Sequence, residues 1–471
     1  MKKTNFQDLS FGSKILLLLE FMFFSLLVIA GFYLNWALQV FEQEVIPSNI
    51  LMVFAIVFAF TTQLSMLALG LYNPRMRENF RTVFRRLTVA FIIAYFISGI
   101  FLAVFSPFSV EIILLAVISV TGLLVTTSFR WFLNKYDLLE FGKRKILVLG
   151  AGERASIIEK RMRRNVDRKH FSLIGFMEMP GDRLDNGIRQ EITYKLNEES
   201  EGLLEFVKRN KVDEIVVACD ERRGNLPTED LFACRIRGIN VIEILDFIER
   251  ETGQVAVNLI YPSWVIYSNG FSSSHYLRNS LDWIINATLG LFIFLFAFPF
   301  MLIAAIAIKL EDGLNAPIFY TQERVGLDGI PFRIVKFRSM RQDAEKEGAV
   351  WSAKNDSRVT RVGNFLRKYR IDELPQLYNV MRGDMGFVGP RPERPEFVTE
   401  LALSIPYYNQ RHNVKPGLTG WAQLKYPYGS TEEDARQKLH YDLYYIKHRS
   451  FLLDMHILMR TAEVVFFGKG R

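Results

Sequence analysis

Four apolar runs, at residues 15–36, 50–72, 87–105 and 110–129, each approach the ~20 residues that a helix needs to cross a hydrocarbon core. They predict four transmembrane helices bundled within residues 1–135. A cleavable leader is the rival reading of the first run, but no small-residue cleavage site comes after it and further runs do. From Lys143 the pattern changes to KRKILVLGAGERASIIEKRMRRN, then SLIGFME, DEIVVACD and GINVIEIL. Short apolar runs alternating with helical segments predict a parallel sheet in a Rossmann-like α/β domain over 143–250, followed by a linker over 251–274. A fifth apolar run, 283–308, carries no charge and as a straight helix would reach ~39 Å against a ~30 Å core. Pro299 lies inside it. An interior proline removes a hydrogen bond and kinks the rod, so the run is expected to enter and leave on one face as a re-entrant hairpin. A kinked fifth span is the alternative.

Charge adds an orientation. Lys2, Lys3 and Lys14 precede the first run, Arg75, Arg77, Arg81, Arg85 and Arg86 lie between the second and third, and Arg130 to Lys145 come after the fourth. The other two loops hold Glu42, Glu44 and Glu111. Excess cations mark the cytoplasmic side, so both ends of the bundle and the α/β domain beyond it are expected there. A true fifth span would carry 309–471, with Arg358, Arg361, Arg367, Lys368 and Arg370, across the membrane. The 471 residues are half hydrophobic, which excludes disorder and a wholly soluble chain. A net charge of +8 implies no nucleic-acid partner. Two cysteines, Cys219 and Cys234, exclude a disulfide framework and a four-cysteine metal site, and read as buried apolar fillers.

Several motifs could carry chemistry. Gly150-Ala151-Gly152-Glu153-Arg154-Ala155 has the shape of a dinucleotide turn, with Glu178 at the end of the next strand as a candidate ribose partner. The same glycines serve tight strand-turn-helix packing without any nucleotide, so both readings stand. Lys336 and Arg338 occupy alternate positions of a predicted strand, where two cations on one face suit a diphosphate. Val362, Phe365, Leu366 and Tyr369 recur at helical spacing among basic residues, as in a helix lying on an anionic membrane surface. Asp372 and Glu373 end that segment. Adjacent carboxylates repel unless cations or a divalent metal compensate them; one can then attack phosphorus while the other holds the metal. Downstream, Pro390 and Pro392 restrict Arg391 and so limit where its guanidinium can point.

The series APIFYTQERVG, FRIVKFRSM, RIDELPQLYNVMRGDM, GPRPERPEF, VKPGLTGWAQ and KLHYDLYYI, spanning 275–471, resembles the bacterial polyprenyl-phosphate hexose-1-phosphate transferases, the monotopic phosphoglycosyl transferases. The bundle and the Rossmann-like insert resemble the large members of that family. The GAGERA turn and Tyr261-Pro262-Ser263-Trp264 look most like exopolysaccharide sugar transferases associated with PEP-CTERM systems. The resemblance implies a Mg²⁺-dependent enzyme of the bacterial inner membrane that moves hexose 1-phosphate from a UDP-sugar to undecaprenyl phosphate and releases UMP. It implies Asp372 as nucleophile, Glu373 as its partner and a magnesium ligand, and Asp442 as a further acid near the metal. Lys336, Arg338, Arg370 and Arg391 fall on its phosphate- or nucleotide-binding positions, and Pro299 on its helix-breaking proline. Phe298 and Gly386 replace serines common in the family, and neither touches the dyad.

Two other classes compete. A membrane-anchored sugar-nucleotide dehydratase or epimerase would use a Tyr-x-x-x-Lys pair, and no tyrosine here has lysine four residues later. A non-catalytic platform for polysaccharide export would use the bundle and α/β domain alone. The transferred hexose and the oligomeric state, a homo-oligomer included, stay open.

Overall fold

The computed structural model describes residues 11–38, 47–72, 80–105, 112–135, 144–162, 168, 171–183, 188, 190–195, 202–221, 225–260, 270–271, 276–341, 358–426, 429 and 431–466. Tyr261–Trp264, Lys2, Lys3, Arg75, Arg77, Glu42, Glu44 and Glu111 lie outside the described residues. Two compact units divide the chain, residues 2–244 and 245–471.

In the first unit the apolar runs form helices α1 (Phe11–Leu38), α2 (Ser48–Ala68), α3 (Phe80–Phe105) and α4 (Ile112–Lys135). α1 packs on α2 and α4, and α3 on the same two. Phe24, Phe58, Ala59, Ala90 and Ala94 are buried between them, while Leu18, Leu26, Met52, Phe96 and Ile100 point outward. An outward face this apolar is stable only against something other than water. By length and composition these four helices and a fifth stretch, Ser280–Asp312, are candidate membrane spans. A buried charge pair sits among them: Arg130 donates to both Glu20 oxygens at 2.8 and 2.9 Å and to the Leu71 carbonyl at 2.9 Å. The Tyr72 hydroxyl also bonds Glu20. Charges in such surroundings persist by pairing.

The same unit holds a five-stranded, all-parallel sheet in the order β3-β2-β1-β4-β5. Its strands are β1 (Arg144–Leu149), β2 (Phe171–Glu178), β3 (Thr193–Lys195), β4 (Glu214–Val217) and β5 (Asn240–Glu243). Helices α5 (Glu153–Arg161), α6 (Leu203–Asn210) and α7 (Thr228–Ile236) connect them. Central strands carry unbroken apolar runs, 146–149 in β1 and 215–217 in β4, because both faces are covered, and such runs made four of the five visible in the sequence. The three-residue edge strand β3 is too short to leave a pattern. Cys219 and Cys234 are buried in this core outside any disulfide, and Glu178 ends β2 as expected, 3.5 Å from Lys195.

The second unit is built on one long helix, Tyr276–Asp312, with Pro299 inside it. An antiparallel hairpin comes next, β6 (Phe319–Val325) with β7 (Pro331–Phe337), in a register that sets Tyr320 opposite Lys336. Strands β8 (Gly386–Val388) and β9 (Gly417–Thr419) pair in parallel. The first half of the long helix packs Leu289, Ile293 and Phe294 around Leu377, Val380, Met385 and Phe387. Its second half packs Ala304 and Ile308 on Phe337 and Leu366. Residues 254–259, read from the sequence as linker, pack into this unit: Val255, Ala256 and Val257 are buried, and the Val255 amide donates to the His440 carbonyl at 2.9 Å.

Candidate active site

Asp372 and Glu373 lie on a short 3-10 turn, Ile371–Gln376, just past the basic helix Arg361–Lys368. Thr360 caps that helix by accepting from the Gly363 amide at 2.9 Å. A Cβ on Gly363 would stand 2.1 Å from the Ser339 carbonyl oxygen, so glycine lets the helix lie against the exit of β7. The apolar stripe divides here. Leu366 and Val362 pack inward, whereas Phe365 and Tyr369 face out with ring centroids 4.9 Å apart. Arg370 joins helix to turn in the left-handed region, φ 58°, a conformation that costs a non-glycine residue about 1 kcal/mol or more. Held this way, its guanidinium reaches both Glu373 oxygens at 3.3 Å.

Three cations meet on Glu373. Arg391 donates at 2.8 Å, Arg370 lies at 3.3 Å and the Lys336 ammonium at 3.8 Å. Glu373 is 7% exposed and Asp372 8%. Burial by itself would raise Glu373, but Arg391, then Lys336 and Arg370, hold its carboxyl well below the usual carboxylate range. Asp372 goes the other way: burial and then the Glu373 charge raise it, against Lys336, Arg367 and Arg370. Its Oδ1 is buried with no hydrogen-bond partner among the described residues. Burial also pushes the Lys336 ammonium down to about 8, with Glu373 opposing the shift. The pair is therefore one firmly ionised acid beside one raised, incompletely bonded acid.

A second layer holds these groups. Arg391 receives a 2.9 Å bond on its carbonyl from Arg411, whose guanidinium lies 2.9 Å from Asp442. Both members of that pair are buried. Arg324 lies 3.7 Å from Glu393 and donates to the Pro392 carbonyl at 3.3 Å, tying the proline-flanked segment to β6. Asn379, 1% exposed, accepts from the Val335 amide at 3.1 Å and donates to the Arg333 carbonyl at 2.8 Å and to Asp384 at 3.1 Å. It fixes the dyad turn against β7. Neither Arg411 nor Asn379 stood out in the sequence, since a lone arginine or asparagine carries no local pattern.

Lys336, Arg370 and Arg391 thus surround Glu373. Arg338 does not join them: β7 ends at Phe337, and Arg338 turns to Asp312 at 2.6 Å, the end of the long helix. Asp442, expected near a metal, lies 2.9 Å from Arg411, and its Oδ2 is buried with no hydrogen bond among the described residues. Gly150 and Gly152 close β1 in the other unit. Among the described residues no three His, Cys, Asp or Glu side chains converge as a metal cage. Magnesium, however, takes one or two carboxylates together with substrate phosphates and water. Glu373, with the buried and incompletely bonded Asp372 beside it, fits that donor set, with a diphosphate supplying the remainder.

Residues 276–468 match the family described as bacterial sugar transferase, and residues 67–223 one described as CoA-binding domain. A UDP-N-acetylgalactosamine-undecaprenyl-phosphate N-acetylgalactosaminephosphotransferase of Aeromonas hydrophila is 39% identical over 240 residues, 51% of this chain and 55% of that protein. The chain thus spans little more than half of that relative's length. The UDP-glucose:undecaprenyl-phosphate glucose-1-phosphate transferase of Escherichia coli K12 is 33% identical over 273 residues, 57% of this chain and 58% of that protein. An enzyme of the same name from Xanthomonas campestris pv. campestris is 32% identical over 356 residues, 73% of this chain and 71% of its own length. Likeness over 73% of this chain and 71% of that relative, with the family match across the dyad unit, makes this chain a member of the bacterial sugar transferase family, among the polyprenyl-phosphate sugar phosphotransferases.

Proposed function

We propose that this protein transfers a sugar 1-phosphate from a UDP-sugar to undecaprenyl phosphate through a covalent phosphosugar-Asp372, as a membrane step of exopolysaccharide or other glycan synthesis. The observation that carries this reading is the buried, unpartnered Oδ1 of Asp372 beside a Glu373 clamped by three cations. In the first step Oδ1 forms a bond to the sugar-bearing phosphorus, and the phosphoanhydride bond breaks with its electron pair leaving on UMP. In the second, a phosphate oxygen of undecaprenyl phosphate attacks the same phosphorus, and the bond to Asp372 breaks to regenerate the carboxylate. Burial that raises Asp372 also makes it a more basic attacking group once ionised. Arg391, Lys336 and Arg370 would pass from Glu373 to the diphosphate as it docks, positioning the reacting phosphorus and stabilising its charge. Magnesium bound at the dyad would supply further positive charge to offset the diphosphate. One site can then serve two dissimilar substrates in turn.

The same unit bears on the membrane arrangement. Asp282, near the start of the long helix, lies 2.7 Å from Arg449, and Asp312, at its end, lies 2.6 Å from Arg338. Glu311 accepts from the Arg361 and Val362 amides at 2.8 and 3.0 Å. A straight helix over those 30 positions would rise ~45 Å, so ties at both ends to one body favour a helix bent at Pro299 with both ends on one membrane face. Between the ties Phe292, Leu295, Phe296, Phe300 and Ile303 are exposed, as a lipid-embedded wedge requires. On this reading, with α1–α4 as spans, the dyad works at the cytoplasmic face of the inner membrane, within reach of a lipid phosphate and of a soluble nucleotide. A cysteine appended after Arg471 should then resist labelling from the periplasmic side of intact cells, and labelling there would refute the hairpin.

The transferase reading is tested by incubating the protein with several UDP-sugars, undecaprenyl phosphate and Mg²⁺ while UMP is quantified. With donor alone, mass spectrometry should find the sugar phosphate on the peptide bearing Asp372. Turnover without that adduct under rapid quench would overturn the covalent route.

A further inference from the structure

In an open parallel sheet a ligand binds beyond the carboxyl ends of the strands, where the strand order reverses. Here that point lies between β1 and β4. The turn Gly150–Gly152 leaves β1 there and enters α5, whose first amides would face a phosphate. Those amides are already bonded. Asp220, three residues past β4, accepts from the Glu153 amide at 3.0 Å, the Arg154 amide at 3.0 Å and the Arg183 amide at 3.2 Å. Asp182 accepts from the Ala151 amide at 2.8 Å, the Met179 amide at 3.0 Å and the Asp220 amide at 3.2 Å. A Cβ on Gly152 would fall 1.8 Å from Asp220 Oδ2, and one on Gly150 2.7 Å from the Ala218 carbonyl. Glycine is thus demanded at both positions by a carboxylate and by the neighbouring strand, with no nucleotide involved.

We propose that Asp220 and Asp182 close this turn from within: two built-in carboxylates occupy the place of a diphosphate, and the α/β domain binds neither CoA nor a dinucleotide through it. The donor set does not fit the cofactor that the matched domain description implies. An incoming diphosphate would meet two fixed negative charges and would have to take the Ala151, Glu153 and Arg154 amides from them, leaving the two carboxylates short of donors. The domain then works as a scaffold whose loops are held by their own acids.

The test uses the full-length protein in lipid nanodiscs, with CoA, NAD and inorganic pyrophosphate each raised to millimolar concentration. Equilibrium dialysis reports binding, and hydrogen-deuterium exchange reports the peptide covering residues 150–156. No ligand should slow exchange in that peptide. Asp220→Ala should speed it roughly tenfold, because the Glu153 and Arg154 amides lose their acceptor; the milder Asp220→Asn keeps one acceptor oxygen and should speed it less. A ligand that binds without altering this peptide sits elsewhere and leaves the turn closed. Saturable CoA or NAD binding that slows exchange at 150–156, or an Asp220→Ala protein with unchanged exchange there, overturns the proposal. If neither variant folds, the wild-type ligand series decides alone.

Discussion

Two acidic turns in this protein put carboxylates at the start of helical segments and use them in opposite ways. Asp182 and Asp220 are bonded by backbone amides, which are neutral and cannot move away. Asp372 and Glu373 are compensated by Lys336, Arg370 and Arg391, whose long side chains can be shared with an arriving anion, and Asp372 Oδ1 accepts no bond among the described residues. An acid whose two oxygens both accept backbone bonds is architecture. An acid that is buried, charge-compensated and incompletely bonded retains reactivity, which is where perturbed groups gather in active sites.

The sharpest way to break this contrast is Asp372→Asn. It preserves shape and removes the proposed nucleophile, so UMP release should fall about 10³-fold or more while membrane insertion is unchanged. Unchanged turnover would make Asp372 as structural as Asp220. Next in size is Arg411→Met, which strands the buried Asp442 charge and frees the Arg391 carbonyl. Loss of one partner of a buried pair costs ~3–5 kcal/mol, read as a lower unfolding midpoint, with a raised KM for the donor as Arg391 loosens. A midpoint like that of the parent would mean that Arg411 braces nothing.

The smallest effect is the shape of the pH profile of kcat/KM, which reports groups of the free enzyme. Burial and then Glu373 raise Asp372, so protonation should remove the nucleophile at a higher pH than for an ordinary carboxylate, moving the acid limb upward. Burial lowers Lys336 to about 8, so a rise through that pH removes a cation from the diphosphate site and activity falls. Lys336→Arg keeps its charge at alkaline pH and should abolish the upper limb while leaving the lower one. Were both limbs to survive in that variant, the alkaline one would belong to another group.

The apolar runs, four of the five strands of the parallel sheet and the adjacency of Asp372 and Glu373 to a basic helix could be read directly from the chain, because hydrophobic period and neighbouring charge are local properties. The proline-flanked Arg391 was legible for the same reason. Which charges meet was not. Arg338 shares Lys336's alternation yet leaves the dyad for Asp312, 26 positions away, since the strand stops one residue earlier. Asp442 reads as a spare acid until folding delivers Arg411 to it. Asp220 looks like any strand-end aspartate until it proves to hold the Glu153 amide, 67 positions back. Sequence pattern determined the elements and the candidate chemistry; tertiary structure decided which acids are held by backbone amides and which keep an unbonded oxygen, because that depends on distances between parts of the chain that no local pattern encodes.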